Sequence, residues 1–215
     1  DLTRLPPGMK LLVPIPWLKR LSAKARILSA QGQVNAVIAA TGQTVSVSSG
    51  LLLQTGDTLL TGPDGAAGLE FRDGSRVLLQ ADSELRMDAL SAYGPTRSAD
   101  TRIRLQQGRA ESQIKPRAGA GPRYEISTPA ATSAVRGTRY RIGMDPAAAT
   151  ARTEVLEGTV AFEGHRTTRT VEQGFGSLAE TGQAPLPPLP LLPPPKLTER
   201  PPVVARWPVQ LGFFP

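Results

Sequence analysis

Two short stretches, TRIRL (residues 101–105) and TRYRI (138–142), place an arginine at every second position. A guanidinium is the side chain best shaped to hold phosphate or carboxylate groups by forked hydrogen bonds. In a strand, alternate side chains share a face, so Ile103, Tyr140 and Ile142 are expected to point inward and Arg102, Arg104, Arg139 and Arg141 outward. Set side by side, the two strands would form a four-arginine anion surface, extended by Arg136. Alternation alone would also produce outward charges on a plain solvated face.

Other chemistry-bearing residues do not assemble into a catalytic set by their spacing. Asp73, Asp82, Glu84 and Asp88 fall close together in sequence and could be read as a glycosidase pair or a calcium site. Period-two geometry instead puts Glu84 and Asp88 on an outward face, with Asp73 in a turn. His165 follows a glycine and precedes a polar basic run, which reads as a surface position rather than a general base. The sequence contains no G-x-S-x-G elbow, no phosphate-binding G-x-x-x-x-G-K and no H-E-x-x-H. With no cysteine and a single histidine, thiolate and multi-histidine metal sites are excluded. No cofactor, no metal and no enzymatic activity are expected.

The elements that would position these residues are strands. Between about Val34 and Leu178, short alternating runs are broken every ten residues or so by Gly, Asp, Asn or Pro, the pattern of an all-β domain. An apolar residue followed by polar or small residues and a glycine recurs at 47–50, 71–74, 105–108, 135–137, 155–158 and 171–174. Such a recurrence suits strands stacked in rungs that turn at similar corners. A β-solenoid-like fold is therefore expected, with a two-sheet sandwich as the alternative. One helix is predicted, over residues 17–28, from the stripe Trp17, Leu18, Leu21, Ala25 and Leu28.

The 215 residues include 21 prolines and 21 glycines, which points to one domain with tails. Four regions are expected: residues 1–26, an extended segment; 27–182, the β domain, with its core at 55–163; 183–208, a proline-rich polyproline-II linker; and 209–215, the start of a further module. No apolar run is long enough to span a bilayer and no signal peptide opens the chain, so the sequence reads as a segment of a longer protein. The net charge of +7 resides mostly in arginines scattered along the chain, without an aromatic-rich basic motif. Anionic envelope polymers fit such a charge at least as well as nucleic acid, which is not expected as a partner.

The ordered set GDTLLTGPDGAAGLEFRDGSRVLLQADSEL (56–85), RLQQGRAESQI (104–114), ISTPAATSAVRGTRYRI (126–142) and TEVLEGTVAF (153–162) resembles the FecR domain family. Its motifs fall on Gly56 and Asp57, on Asp73, Gly74 and Ser75, on Gly108, on Thr128, Pro129, Val135, Arg136, Gly137, Thr138 and Tyr140, and on Gly158. Tyr140 stands where that family more often has phenylalanine. The resemblance implies structural roles for these residues, a β-solenoid-like fold and an envelope location, periplasmic or on the cell surface. Separately, LPPGMKLLVP (5–14) resembles the closing strand of a LysM module, and PPVVARWPVQLG (201–212) the first strand of an immunoglobulin-like module.

These likenesses lead to a non-catalytic binding or scaffold domain associated with peptidoglycan, its partner an envelope protein or an anionic cell-wall polymer. The alternative is a module that relays an outer-membrane signal to an anti-sigma regulator. A polysaccharide-active β-helix enzyme is a third reading, and it requires carboxylates converging in a groove.

Overall fold

The period-two alternation is realised as strand throughout. The computed structural model describes residues 20–93, 99–116 and 124–192, and among these it contains eighteen strands and no helix. They are β1 (Arg20–Ser22), β2 (Ala25–Gln31), β3 (Val34–Ile38), β4 (Gln43–Ser46), β5 (Leu52–Leu53), β6 (Thr58–Thr61), β7 (Ala66–Glu70), β8 (Arg76–Leu79) and β9 (Glu84–Tyr93). The second half adds β10 (Ala99–Gln113), β11 (Tyr124–Ser127), β12 (Thr132–Val135), β13 (Arg139–Asp145), β14 (Thr150–Glu157), β15 (Thr159–Gly164), β16 (Thr167–Glu172), β17 (Phe175–Glu180) and β18 (Leu189–Pro190).

Hydrogen bonding gathers the strands into two sheets. Sheet I runs β4, β3, β6, β9, β10, β11, β12, β15, β16, with β1 against the far end of β9. Sheet II runs β5, β2, β7, β8, β10, β13, β14, β17, β18. The long strand β10 belongs to both: its first part, through Gln107, pairs in sheet I, and Gly108–Gln113 pairs in sheet II. Inward residues of both sheets form one core, with Leu59, Leu85, Ile103, Ile126 and Phe162 from sheet I and Ile27, Leu69, Leu79, Tyr140 and Val155 from sheet II. Phe71, at the end of β7, meets Tyr124 of β11 edge-to-face at 5.7 Å, a direct contact between the sheets.

The chain deals its strands alternately to the two sheets, and both sheets lengthen in sequence order. Each switch needs a sharp corner. Gly32, Gly50, Gly56, Asp82, Gly108, Gly137, Gly158 and Gly174 all have positive φ, and each lies where the chain passes from one sheet to the other. Five of these glycines belong to the recurrence seen in the sequence; the sixth, Gly74, turns β7 into β8 within sheet II. The repeat therefore encodes corners, as expected, but the ladders do not form a coil of stacked rungs. Rungs would pair in parallel, whereas among the described ladders only β10–β11 is parallel. The two-sheet alternative describes the hydrogen bonding.

Two further expectations differ from the structure. The helix over residues 17–28 does not form where the chain is described: Arg20–Ser22 and Ala25–Gln31 are strands. Leu21, Ala25 and Leu28 fit the helical period, but Ala23, Ala25 and Ile27 are buried and alternate with the exposed Lys24 and Arg26, and pairing with β5 and β7 fixes the strand. The first part of the proline-rich linker is also paired. Leu186 N donates to Leu178 O at 2.8 Å, Leu191 N to Gly174 O at 2.8 Å, and Ser177 Oγ to Leu186 O at 2.7 Å, so residues 185–191 lie along β17. The LysM-like and immunoglobulin-like stretches lie outside the described residues.

Candidate functional site

The outer face of sheet I carries a concavity of about 530 Å³ that is open to solvent. Asp88 and Ala89 of β9, Arg102 and Arg104 of β10, Glu125 and Ser127 of β11, Thr128, and Thr132 of β12 line it. The parallel β10–β11 ladder sets Arg102 opposite Glu125 and Arg104 opposite Ser127, and the next ladder sets Ser127 opposite Thr132. Register thus lays a row of guanidinium, carboxylate and hydroxyl groups across four strands.

The arginines in that row are already ion-paired. Arg104 Nε donates to Asp88 Oδ2 at 2.8 Å, and Arg86 Nε lies 3.6 Å from the other Asp88 oxygen. Arg102 Nη2 reaches Asp100 Oδ2 at 3.2 Å, an oxygen that also accepts from Arg20 Nη2 at 2.8 Å. The lining therefore balances two arginines with two carboxylates, a surface suited to a polar peptide or hydroxyl-bearing partner rather than a lone anion.

The TPAATSAVRGTRYRI stretch builds one wall of this face. The Thr128 hydroxyl donates to Ala131 O at 2.8 Å and accepts from Ala131 N at 2.9 Å, closing the four-residue turn between β11 and β12. Pro129 is exposed at its tip, where no strand donor is needed. Val135 ends β12, and Gly137, with φ of +67°, sends the chain to sheet II; a Cβ there would lie 2.9 Å from Pro116 Cα. Thr138 Oγ1 then donates to Thr159 O at 2.9 Å, tying this corner to the next, where Gly158 packs on Gly137.

The four strand arginines are not brought together. Arg102 and Arg104 project from sheet I, whereas Arg139 and Arg141 lie on β13 in sheet II, because β10 pairs with β13 only beyond Gly108. Arg139 Nη2 and Arg141 Nε reach opposite oxygens of Glu111, at 2.8 and 3.2 Å, and Arg141 lies 3.7 Å from Glu154. Burial alone would raise the Glu111 pKa, but the bonds from Arg139 and Arg141 outweigh it and hold the carboxyl below its ordinary value. The Arg139 pKa is raised in turn by its bond to Glu111. Arg136 stands apart, exposed beside Gly137. Alternation correctly gives the outward direction of these arginines. It cannot give their acidic partners, which cross-strand register alone selects.

The remaining motif residues sit at joints. Asp57, 4% exposed at the β5–β6 switch beside Gly56, accepts from Ala39 N at 2.9 Å and Gln54 N at 2.7 Å. Asp73 accepts from Ser75 N at 2.9 Å and Ser75 Oγ at 2.7 Å around Gly74. Tyr140 is fully buried, and burial raises its phenol pKa far above the usual range; the hydroxyls of Ser112 and Tyr124 are buried as well. The sequence-adjacent carboxylates are dispersed: Asp73 lies in the β7–β8 turn, Asp82 at the β8–β9 switch, Glu84 at the start of β9 and Asp88 in the concavity. His165 sits with positive φ in the exposed β15–β16 turn. Among the described residues no group of three or more His, Cys, Asp or Glu could hold a metal ion, and no helix is long and apolar enough to cross a membrane.

Residues 57–161, from β6 into the first half of β15, match the family model described as FecR protein. No curated protein matches the chain. Two crystal structures, each of a candidate anti-sigma factor from Parabacteroides distasonis, are similar in fold at 14% identity. One has a TM-score of 0.51 over 62% of this chain and 59% of its own. The other has a TM-score of 0.48 over 61% and 57%. The chain thus spans less than two thirds of either structure.

Proposed function

We propose that this chain is a non-catalytic binding module of an envelope signalling protein, relaying an outer-membrane event to a regulator through contact with a partner protein. The observation that carries this reading is the FecR match over residues 57–161, a stretch that holds the left-handed corners at Asp82, Gly108, Gly137 and Gly158. Similarity to a candidate anti-sigma factor structure supports the regulatory role. The charge-balanced face of sheet I offers a partner paired ions and hydroxyls on a rigid ladder, with no nucleophile–base pair. An extracytoplasmic, periplasmic location follows from the same reading.

A peptidoglycan-associated scaffold is the second reading, favoured by the LysM-like stretch 5–14. The two separate in one experiment on the parent protein: residues 5–14 and 57–161 are deleted together in the source organism, then transcripts and sacculus co-sedimentation are compared with the intact strain. The relay predicts a change confined to a discrete set of promoters with sacculus binding retained. Loss of sacculus binding with an unchanged transcript profile would replace it with the scaffold.

A further inference from the structure

Strand arginines in this protein are almost all ion-paired, with partners at Glu70, Asp88, Asp100, Glu111 and Glu154. Three exposed cations at one end of sheet II are not. Arg72 lies in the β7–β8 turn, Lys115 just beyond β10 and Arg136 just before β13, and none of the three side chains has an acidic partner among the described residues. Because β8, β10 and β13 are lateral neighbours, three successive corners come together at this end.

The corners are locked to one another. Lys115 N donates to Ser75 Oγ at 3.1 Å, and that hydroxyl is itself held by the buried Asp73. Ile114 N donates to Thr138 O at 2.9 Å, and Gly137 packs against Pro116 closely enough that no side chain fits between them. The cations therefore project from a rigid edge. Of the acids nearby, Asp73 is buried on Ser75, and Glu157, on the adjoining corner, lies opposite Arg139, whose pKa its charge helps to raise.

We propose that this edge is a docking surface for an acidic polypeptide segment of the partner protein. The proposal rests on the reading that the partner is a protein. The three cations are spread along neighbouring strands at about 5 Å per strand rather than converging on a pocket, which fits carboxylates along an extended chain better than one phosphate. Leaving them unpaired also gathers three positive charges at one end of a molecule in which most of the described strand arginines are neutralised locally, and such a cluster steers an acidic partner into register.

The test uses the full chain and a fluorescein-labelled peptide of alternating Glu and Ser, with binding read by anisotropy at low and high ionic strength. Replacing Arg72, Lys115 and Arg136 together by Ala should weaken binding about tenfold, from three partly exposed ion pairs. A control triple, Lys24→Ala, Arg109→Ala and Arg169→Ala, removes the same charge from other exposed positions and should bind like the unaltered chain. Unchanged circular dichroism would show that both triples fold. Equal weakening by the two triples, no loss in the corner triple, or stronger binding to heparin, duplex DNA or sacculi than to the peptide would overturn the proposal. The transcript experiment is independent, so failure here would remove the docking edge and leave the relay standing.

Discussion

One carboxylate decides the chemistry of sheet II's outer face. Arg139 and Arg141 look like ligand-binding residues in the sequence, yet each gives its nearest donors to Glu111, which sits across from Arg141 in the β10–β13 ladder. A carboxyl that accepts from two guanidiniums is stabilised as the anion, so its folded pKa falls below the ordinary value of 4.5. The sign follows from linkage: a depressed carboxyl pKa contributes stability above the unfolded value, and the contribution disappears as pH falls through the folded value. Glu111→Gln should therefore lower stability at pH 7 by about 0.5–1 kcal/mol, the modest size reflecting two half-exposed arginines. The difference should shrink towards zero at an acidic pH below the folded value, where the carboxyl of the unaltered chain is protonated too. Denaturant midpoints at both pH values measure this directly; an equal deficit at both would mean that packing, not charge, carries the pair. Glu70, held below its ordinary value by bonds from Arg26 and Arg76, has the same sign, so the unaltered chain should lose stability through the same acid window.

At the scale of elements, the switch in β10 matters most, because one strand serves both sheets. Gly108 has φ of +89°, and a Cβ there would overlap the Ser83 hydroxyl that accepts from Arg109 N at 3.0 Å. That same Ser83 donates its backbone N–H to Thr61 Oγ1 at 2.9 Å, so the corner is a shared joint of β6, β9 and β10. Gly108→Ala combines left-handed backbone strain with overpacking and should destabilise by about 3 kcal/mol, whereas Gly42→Ala, at an open turn, should lose only about 1–2 kcal/mol from strain. Paired thermal melts would settle it; equal losses would mean that the joint has room to relax. Corners of this kind were legible in the sequence, because glycine at a regular interval is a local signal with a local cause. Sheet membership was not. TRIRL and TRYRI look alike, but only the change of partner at Gly108 places Arg104 with Asp88 and Arg139 with Glu111, and that depends on contacts far apart in the chain. The stripe of Leu21, Ala25 and Leu28 failed as a helix for the same reason: pairing with β5 and β7 outweighs a weak local preference.

Two sheets that grow together in chain order must each end in a strand with an unpaired edge, and such edges invite association with other chains. Sheet I ends in β16, whose exposed Thr168, Arg169 and Thr170 discourage a second copy. Sheet II would end in β17, a less polar strand containing Phe175, Leu178 and Ala179. It is covered by residues 185–191, in which prolines at 185, 187, 188 and 190 alternate with leucines. Leu186 and Leu191 supply N–H groups to the β17 edge, and Pro185 is buried. The prolines have no N–H to offer outward, so the strap satisfies the last strand while presenting a poor edge of its own. A chain ending at Gln183 should therefore expose Leu178 O and Gly174 O and acquire a concentration-dependent dimer or larger species that the full chain lacks under the same conditions. Light scattering after size exclusion, over a dilution series, measures this. A second chain with Leu186 and Leu191 both changed to Pro keeps the length of the strap but removes the two donors, and should associate in the same way. If both chains elute with the mass of the unaltered chain at every concentration, β17 protects its own edge and the strap serves only to lead the chain away from the sheet.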